Sequence, residues 1–261
     1  FDQIIYLLIP KSYLEDYSSI NDSLNDSYWP KHCNKILTAY DYKVNDIFKI
    51  WCANMVKKNA KYLILQHGGN FGSSEYEIEE DIQKGVAHTF LSWGWKDKIY
   101  SNVKPFCAFT LNFIKKENRF KNKSLLICIH FNSKYSYRIS SLPKTNFDRI
   151  NRLFRIKKLI ENLKSKTPVT LRYQKSLEKN FEVKFNKNFF PGYVNYDTAK
   201  HHMKRIIHKY NLIIHDADST TFLESMYLNF PSILLLDKNI DKFRPKAEKL
   251  YKDLESKNII F

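Results

Sequence analysis

Short apolar runs alternate with amphipathic stretches along this chain. Strand-sized runs stand at residues 4–9, 35–39, 62–66 and 89–93, each bounded by polar or turn-forming positions. Between the second and third, residues 45–57 carry Ile47, Phe48, Trp51 and Met55 at helical spacing, with Asn45 placed to cap the helix. The same pattern predicts strands over 124–131, 169–173, 183–185, 212–214 and 232–236, and helices over 146–163, 197–209, 221–229 and 241–257. Such alternation predicts the α/β class with parallel sheets. Residues 112–123 are polar and lysine-rich and read as a linker. Two Rossmann-like domains are therefore expected, residues 1–115 and 123–261, with a ligand cleft between them.

Composition adds bounds. The chain has 261 residues, 43% hydrophobic and 15% aromatic, which suits a folded protein and excludes a disordered one. No apolar run approaches the ~20 residues of a membrane-spanning helix. The chain opens on Phe1-Asp2 without a Met or a signal-peptide pattern, so a processed or partial product with an incomplete amino-terminal domain is expected. Cys33, Cys52, Cys107 and Cys128 are scattered, which points to reduced thiols and not to a zinc site or a disulfide framework. The formal charge is +16, but lysine supplies 35 of the 43 basic residues and is spread over every segment. Dispersed lysine argues against a nucleic-acid stripe and leaves an acidic substrate or an anionic membrane surface as partners. Arg149, Arg152 and Arg155 lie at helical spacing and would form one basic face.

Two segments carry chemistry. Three of the six glycines fall in Gln66-His67-Gly68-Gly69-Asn70-Phe71-Gly72, just past the third apolar run. The carboxyl edge of a parallel sheet is where ligands bind, and glycine lets a ligand or another backbone approach closely. The same residues also suit a plain tight turn. Far down the chain, strand, polar turn and helix succeed one another in Leu212-Ile-Ile-His215-Asp216-Ala-Asp218-Ser219-Thr220-Thr221-Phe-Leu-Glu224. Hydroxyls and free amides at a helix start suit a phosphate. Thr221-x-x-Glu224 is equally a capping box, which needs no ligand, and Glu224 is also placed to bond a ribose hydroxyl.

These segments, with Phe90-Leu-Ser-Trp93-Gly-Trp95 between them and Asn229-Phe-Pro231 after them, resemble a family of bacterial surface-carbohydrate transferases of the leptospiral O-antigen and lipopolysaccharide type. That family is distantly similar to the capsule polysaccharide transferases and to the GT-B glycosyltransferase fold. The resemblance spans roughly residues 35–261. It implies two Rossmann-like domains facing across a cleft, with the donor nucleotide mainly on the second. It further implies a nucleotide-sugar donor, a glycan or glycolipid acceptor, no obligatory metal or other cofactor, and no nucleic acid. A cytoplasmic site of action follows, with peripheral contact at the inner membrane.

An inverting transfer needs a base for the acceptor hydroxyl and positive or dipolar groups for the leaving phosphate. His67 is the first candidate base, because an ordinary histidine titrates near pH 6.5. Glu75, Glu77, Glu79 and Glu80 are alternatives, most of them expected on a solvated helix face. Gly68 and Gly69 would offer amides or space to the donor. Asp218, Ser219, Thr220 and Thr221 would hold its phosphate, helped by Arg138 and Arg172 through the bidentate geometry of arginine. His215 and Asp216 would shape the nucleotide pocket. The adjacent His201 and His202 point about 100° apart on a helix and make a poor metal pair. Of Trp93 and Trp95, at least one is expected in the core.

Three rivals are weighed. A hydrolase would need a G-x-S-x-G elbow, and no glycine frames such a serine. A nucleic-acid module would need aromatics interleaved with a basic stripe. A nucleotide-sugar epimerase, or a non-catalytic carbohydrate-binding relative, shares the architecture and differs in needing no acceptor.

Overall fold

The computed structural model describes residues 2–112, 124–130, 146–163, 167–173 and 188–261. The chain forms two compact units. One comprises Phe1–His67 and Asp81–Cys107; the other comprises Gly68–Glu80 and Ala108–Phe261.

The first unit holds a parallel sheet of order β1-β2-β3-β4: β1 (Lys35–Thr38), β2 (Lys61–Leu65), β3 (Thr89–Trp93) and β4 (Val103–Phe106). Ile64 and Phe90 pair across β2 and β3 and are fully buried. Helix α4 (Asp46–Lys57) lies between β1 and β2 in sequence and buries Phe48, Ile50, Trp51, Cys52 and Met55. The expected cap is present: the Asn45 side chain accepts from Phe48 N at 2.9 Å. Gln66 Oε1 accepts from Trp93 N and from Trp95 Nε1, both at 2.8 Å, so one amide holds both tryptophans at the end of the sheet.

Two elements here differ from the sequence reading. Residues 4–9 form no strand; Asp2–Leu8 is a helix, α1. A short apolar run fits either state by pattern alone. With no strand paired to it among the described residues, the backbone satisfies itself locally, as in the Ile9 N bond to Ile5 O. Strand β4 was not expected, since it contains Pro105 and three of its four residues are exposed. It is the last strand in the sheet order, the edge position that tolerates proline.

The second unit is a five-stranded parallel sheet: β5 (Leu125–Cys128), β6 (Val169–Arg172), β7 (Asn195–Asp197), β8 (Leu212–His215) and β9 (Ser232–Leu234). Their order is β7-β6-β5-β8-β9. Alternate residues of β5 enter two separate cores. Leu125 and Ile127 pack with Ile156 and Ile160 of α7 (Asn146–Asn162), while Leu126 and Cys128 pack with Met203 and Ile206 of α8 (Met203–Ile206). Both faces are covered, as the near-continuous apolar strands require. Helices α9 (Thr220–Tyr227) and α10 (Pro245–Ser256) complete the unit, with Phe222 and Leu234 at the centre of a third cluster.

The helix expected over 197–209 is shorter than its pattern. Asp197 ends β7, and its carboxylate accepts from Ala199 N at 2.9 Å and from Arg172. That capture turns the chain, with Ala199 at positive φ, and α8 begins only at Met203. The strand expected at 183–185 lies outside the described residues, as does nearly all of the linker.

Candidate functional site

The order of the second sheet locates the site. From β5 the chain moves outward to β6 and β7; from β8 it moves outward the other way to β9. The connection reverses between β5 and β8, and in such sheets the crevice beyond the carboxyl ends of those two strands takes the ligand. Asp216 clips the ends together. Its amide donates to Cys128 O at 3.2 Å, and its carboxylate accepts from His130 N at 2.6 Å. Arg152 of α7 donates to Asp216 O and, at 3.1 Å, to Asp241.

Past β8 the chain turns into α9, with Ser219 at the cap position in extended backbone. The first-turn amides of a helix lack a carbonyl four residues back; Phe222 N turns instead to Ser219 O at 3.0 Å, and with no side-chain cap bond the amides of Thr220 and Thr221 stay uncapped. The hydroxyls face one another instead. Ser219 Oγ lies 2.9 Å from Thr221 Oγ1, which lies 3.5 Å from His215 Nδ1. Ser225 Oγ donates to Thr221 O, so it accepts from His215 Nε2 at 3.1 Å. The ring is therefore protonated on Nε2 and accepts at Nδ1. Burial pushes the His215 pKa down to about 3. His215 is a neutral brace beneath the corner.

The glycine loop is seated on this corner within the second unit. Gly69 N donates to Thr220 Oγ1 at 3.0 Å. A Cβ on Gly69 would lie 2.9 Å from both Ser219 C and Thr220 N; one on Gly68 would lie 3.4 Å from Thr220 Oγ1. Asn70 and Gly72 take positive φ, which tightens the turn. Further along, Ser73 Oγ donates to Asp218 at 3.0 Å. Gly72 N donates to one oxygen of Glu80 at 2.7 Å and Arg244 to the other at 2.6 Å. Glu80 is fully buried and Glu77 is buried, so half of the four candidate glutamates are not the solvated helix charges expected of most of them. Ser74 also bridges Phe243, and Arg244 N donates to Ser73 O. The loop is thus stitched to the segment leading into α10.

A family model described as LIC12162 family transferase matches residues 1–261. The chain belongs to this family. No curated protein matches this LIC12162 family chain. Among solved structures it is similar to MurG of Acinetobacter baumannii at 12% identity and a TM-score of 0.41. That likeness covers 94% of this chain and 61% of MurG, so the chain spans about three fifths of that structure's length. At such similarity neither fold nor activity transfers from one chain to the other.

In the LIC12162 family chain, then, Gly68, Gly69, His215, Asp218, Ser219, Thr220 and Thr221 come together at one corner. Thr221 and Glu224 form no capping box, because the cap position is Ser219 and Glu224 stands two residues too far along. Burial raises the Glu224 pKa, opposed by the nearby charges of Lys204 and Arg172. Arg172, buried at the end of β6, pairs with Asp197 and donates to His201 O at 2.6 Å, so it meets carboxylate and carbonyl oxygens of its own chain. Arg152 and Arg155 are likewise paired, with Asp241 and Asp237. The basic face expected of α7 is in this respect a set of internal ties. His67 closes the β2 segment of the first unit, its ring edge-on to Tyr40 at 5.8 Å. Arg138 lies outside the described residues. Among those described, no cluster of three or more His, Cys, Asp or Glu is arranged to hold a metal.

Sequence reasoning named Glu80 only as an alternative base and missed Arg244 and Tyr173. The Tyr173 hydroxyl follows β6, is buried, and has no hydrogen-bond partner among the described residues. Nothing local marks Arg244 or Tyr173; only the fold brings them to this edge.

Proposed function

We propose that this transferase moves a sugar from a nucleotide-activated donor to a surface polysaccharide or lipopolysaccharide acceptor, without a metal. One observation supports this above the others: uncapped helix amides stand at the reversal point of the sheet, beside a loop that needs glycine. Donor phosphate placed there takes hydrogen bonds from the first turn of α9 and the favourable field of its dipole. Glu224 is assigned to a ribose hydroxyl and His67 to the acceptor. In the step, the acceptor hydroxyl gives its proton to His67 and its oxygen attacks the anomeric carbon. The bond from that carbon to the phosphate oxygen breaks, and the nucleotide leaves with the electron pair. Among the described residues no helix is long and apolar enough to cross a membrane. The +16 charge suits contact with an anionic membrane face, where lipid-linked acceptors reside.

The test is thermal-shift binding of CMP, UDP, GDP and dTDP, with EDTA present, to the chain and to Ser219→Asp. A carboxylate at the cap satisfies the free amides and repels phosphate. The variant is expected to melt no lower than the parent while losing at least about tenfold in affinity for the preferred nucleotide, the ~1.4 kcal/mol of a modest charge clash. Undiminished binding by Ser219→Asp would remove the phosphate from this corner.

A further inference from the structure

The first unit carries a groove of about 290 Å³ whose lining combines Trp29, Trp51, Asn21, Asn54, Lys57 and Lys58, and includes no carboxylate. We infer that this groove binds an anionic glycan, a sugar chain bearing carboxylate groups, through residues separate from the β8–α9 corner. Its lining residues all belong to the first unit, so the inference stands or falls independently of the donor site.

Three features of the groove select this ligand. The first is an aromatic ladder. Trp29 and Trp51 line the groove 5.0 Å apart, and Tyr28, outside the lining itself, extends them by stacking on Trp29 at 5.5 Å and 22° and is 91% exposed. An open ring of this kind offers an apolar face to the C–H face of a pyranose and a hydroxyl to its rim. The second is the pair of amides. Asn54 Nδ2 donates to Asn21 Oδ1 at 2.7 Å, which fixes both side chains. That bond leaves the second Nδ2 proton of Asn54, its Oδ1 and the Asn21 Nδ2 to address a ligand as both donor and acceptor. Sugar hydroxyls need both; phosphates and carboxylates need donors alone, and an acyl chain needs neither. The third is charge. Lys57 and Lys58 end α4, and Lys31 is held at the groove by donating to Leu24 O and Asn25 O. Trp51 Nε1 donates to Pro30 O at 2.9 Å, so the indole wall is anchored and not free to collapse into the space. Aromatic walls with a few fixed polar groups are the ordinary make-up of a small-ligand site.

The experiment is a tryptophan-fluorescence and calorimetric titration of the whole chain with tetragalacturonate. Maltotetraose, phosphatidylglycerol vesicles and an oligothymidylate serve as the other arms. Saturable binding of tetragalacturonate is expected, weakened by salt and much stronger than that of neutral maltotetraose. Lys57→Gln/Lys58→Gln should reduce it about fivefold, the combined effect of two exposed charge contacts, and Tyr28→Ala should reduce it without lowering the melting temperature, since these side chains are exposed. No saturable binding at millimolar sugar overturns the inference, as does equal binding by parent and variants. Lysine-dependent binding of vesicles or oligothymidylate, with none of the sugar, overturns it too and reassigns the groove to a membrane or to nucleic acid.

Discussion

At Gly69 a methyl group would meet two backbone atoms, Ser219 C and Thr220 N, at 2.9 Å. Neither can rotate away as a side-chain tip would, so Gly69→Ala should cost about 1–3 kcal/mol, the range for overpacking. Gly68→Ala, facing only the Thr220 hydroxyl at 3.4 Å, should cost much less. Urea unfolding of the two variants checks the difference; equal losses would mean that the loop does not need the close approach. His215 makes a second residue-level prediction. Its pKa falls from an ordinary 6.5 to about 3 on folding. Above pH 6.5 the ring is neutral in both states and its contribution is fully present. Between 6.5 and 3 the unfolded chain binds a proton that the folded chain refuses, so stability falls with pH, by up to about 1.4 kcal/mol per unit. Replacing it as His215→Gln should remove that component of the slope between pH 6.5 and 4.5, whatever its effect on absolute stability. An unchanged slope would show that the ring is solvated.

At the scale of elements, the Gly68–Glu80 loop is held by an ion pair with one wholly buried partner. Removing one side of such a pair leaves a charge without compensation, typically a loss of about 3 kcal/mol or more. Arg244→Met should therefore destabilise strongly, and Glu80→Gln combined with it should recover part of the loss; a double-mutant cycle measures the coupling. Much of the element pattern was legible beforehand. The strand–turn–helix at 212–227 was readable because three apolar residues meet a dense polar corner, and Asn45 because a cap acts within one turn. The loop's latch was not, since Glu80 looks in sequence like its solvated neighbours Glu75 and Glu79. Its partner lies 164 positions away. Arg152 and Arg155 misled for the same reason: spacing shows which face they share and says nothing of the carboxylates that meet it.

For the molecule as a whole, burial ranks the stability of its parts. Leu126, Ile127 and Ile213, in β5 and β8, are fully buried and lie at the middle of the second sheet, whereas β4 is a largely exposed edge. Amide exchange should be slowest in β5 and β8, opening only with global unfolding, and much faster in β4; comparable rates would contradict the layered core. The bond between Gly69 and Thr220 closes a span of 151 residues. A ribosome therefore releases the loop long before the helix start that it packs beside exists, and the second unit cannot finish folding until nearly all of the chain has emerged. Contacts of such long span are slow to form. Nor are the two units interchangeable modules. A cut in the lysine-rich stretch, where a boundary would naturally be drawn, leaves the carboxyl-terminal piece without the strap across its own corner, and a domain exchanged there would carry that corner bare.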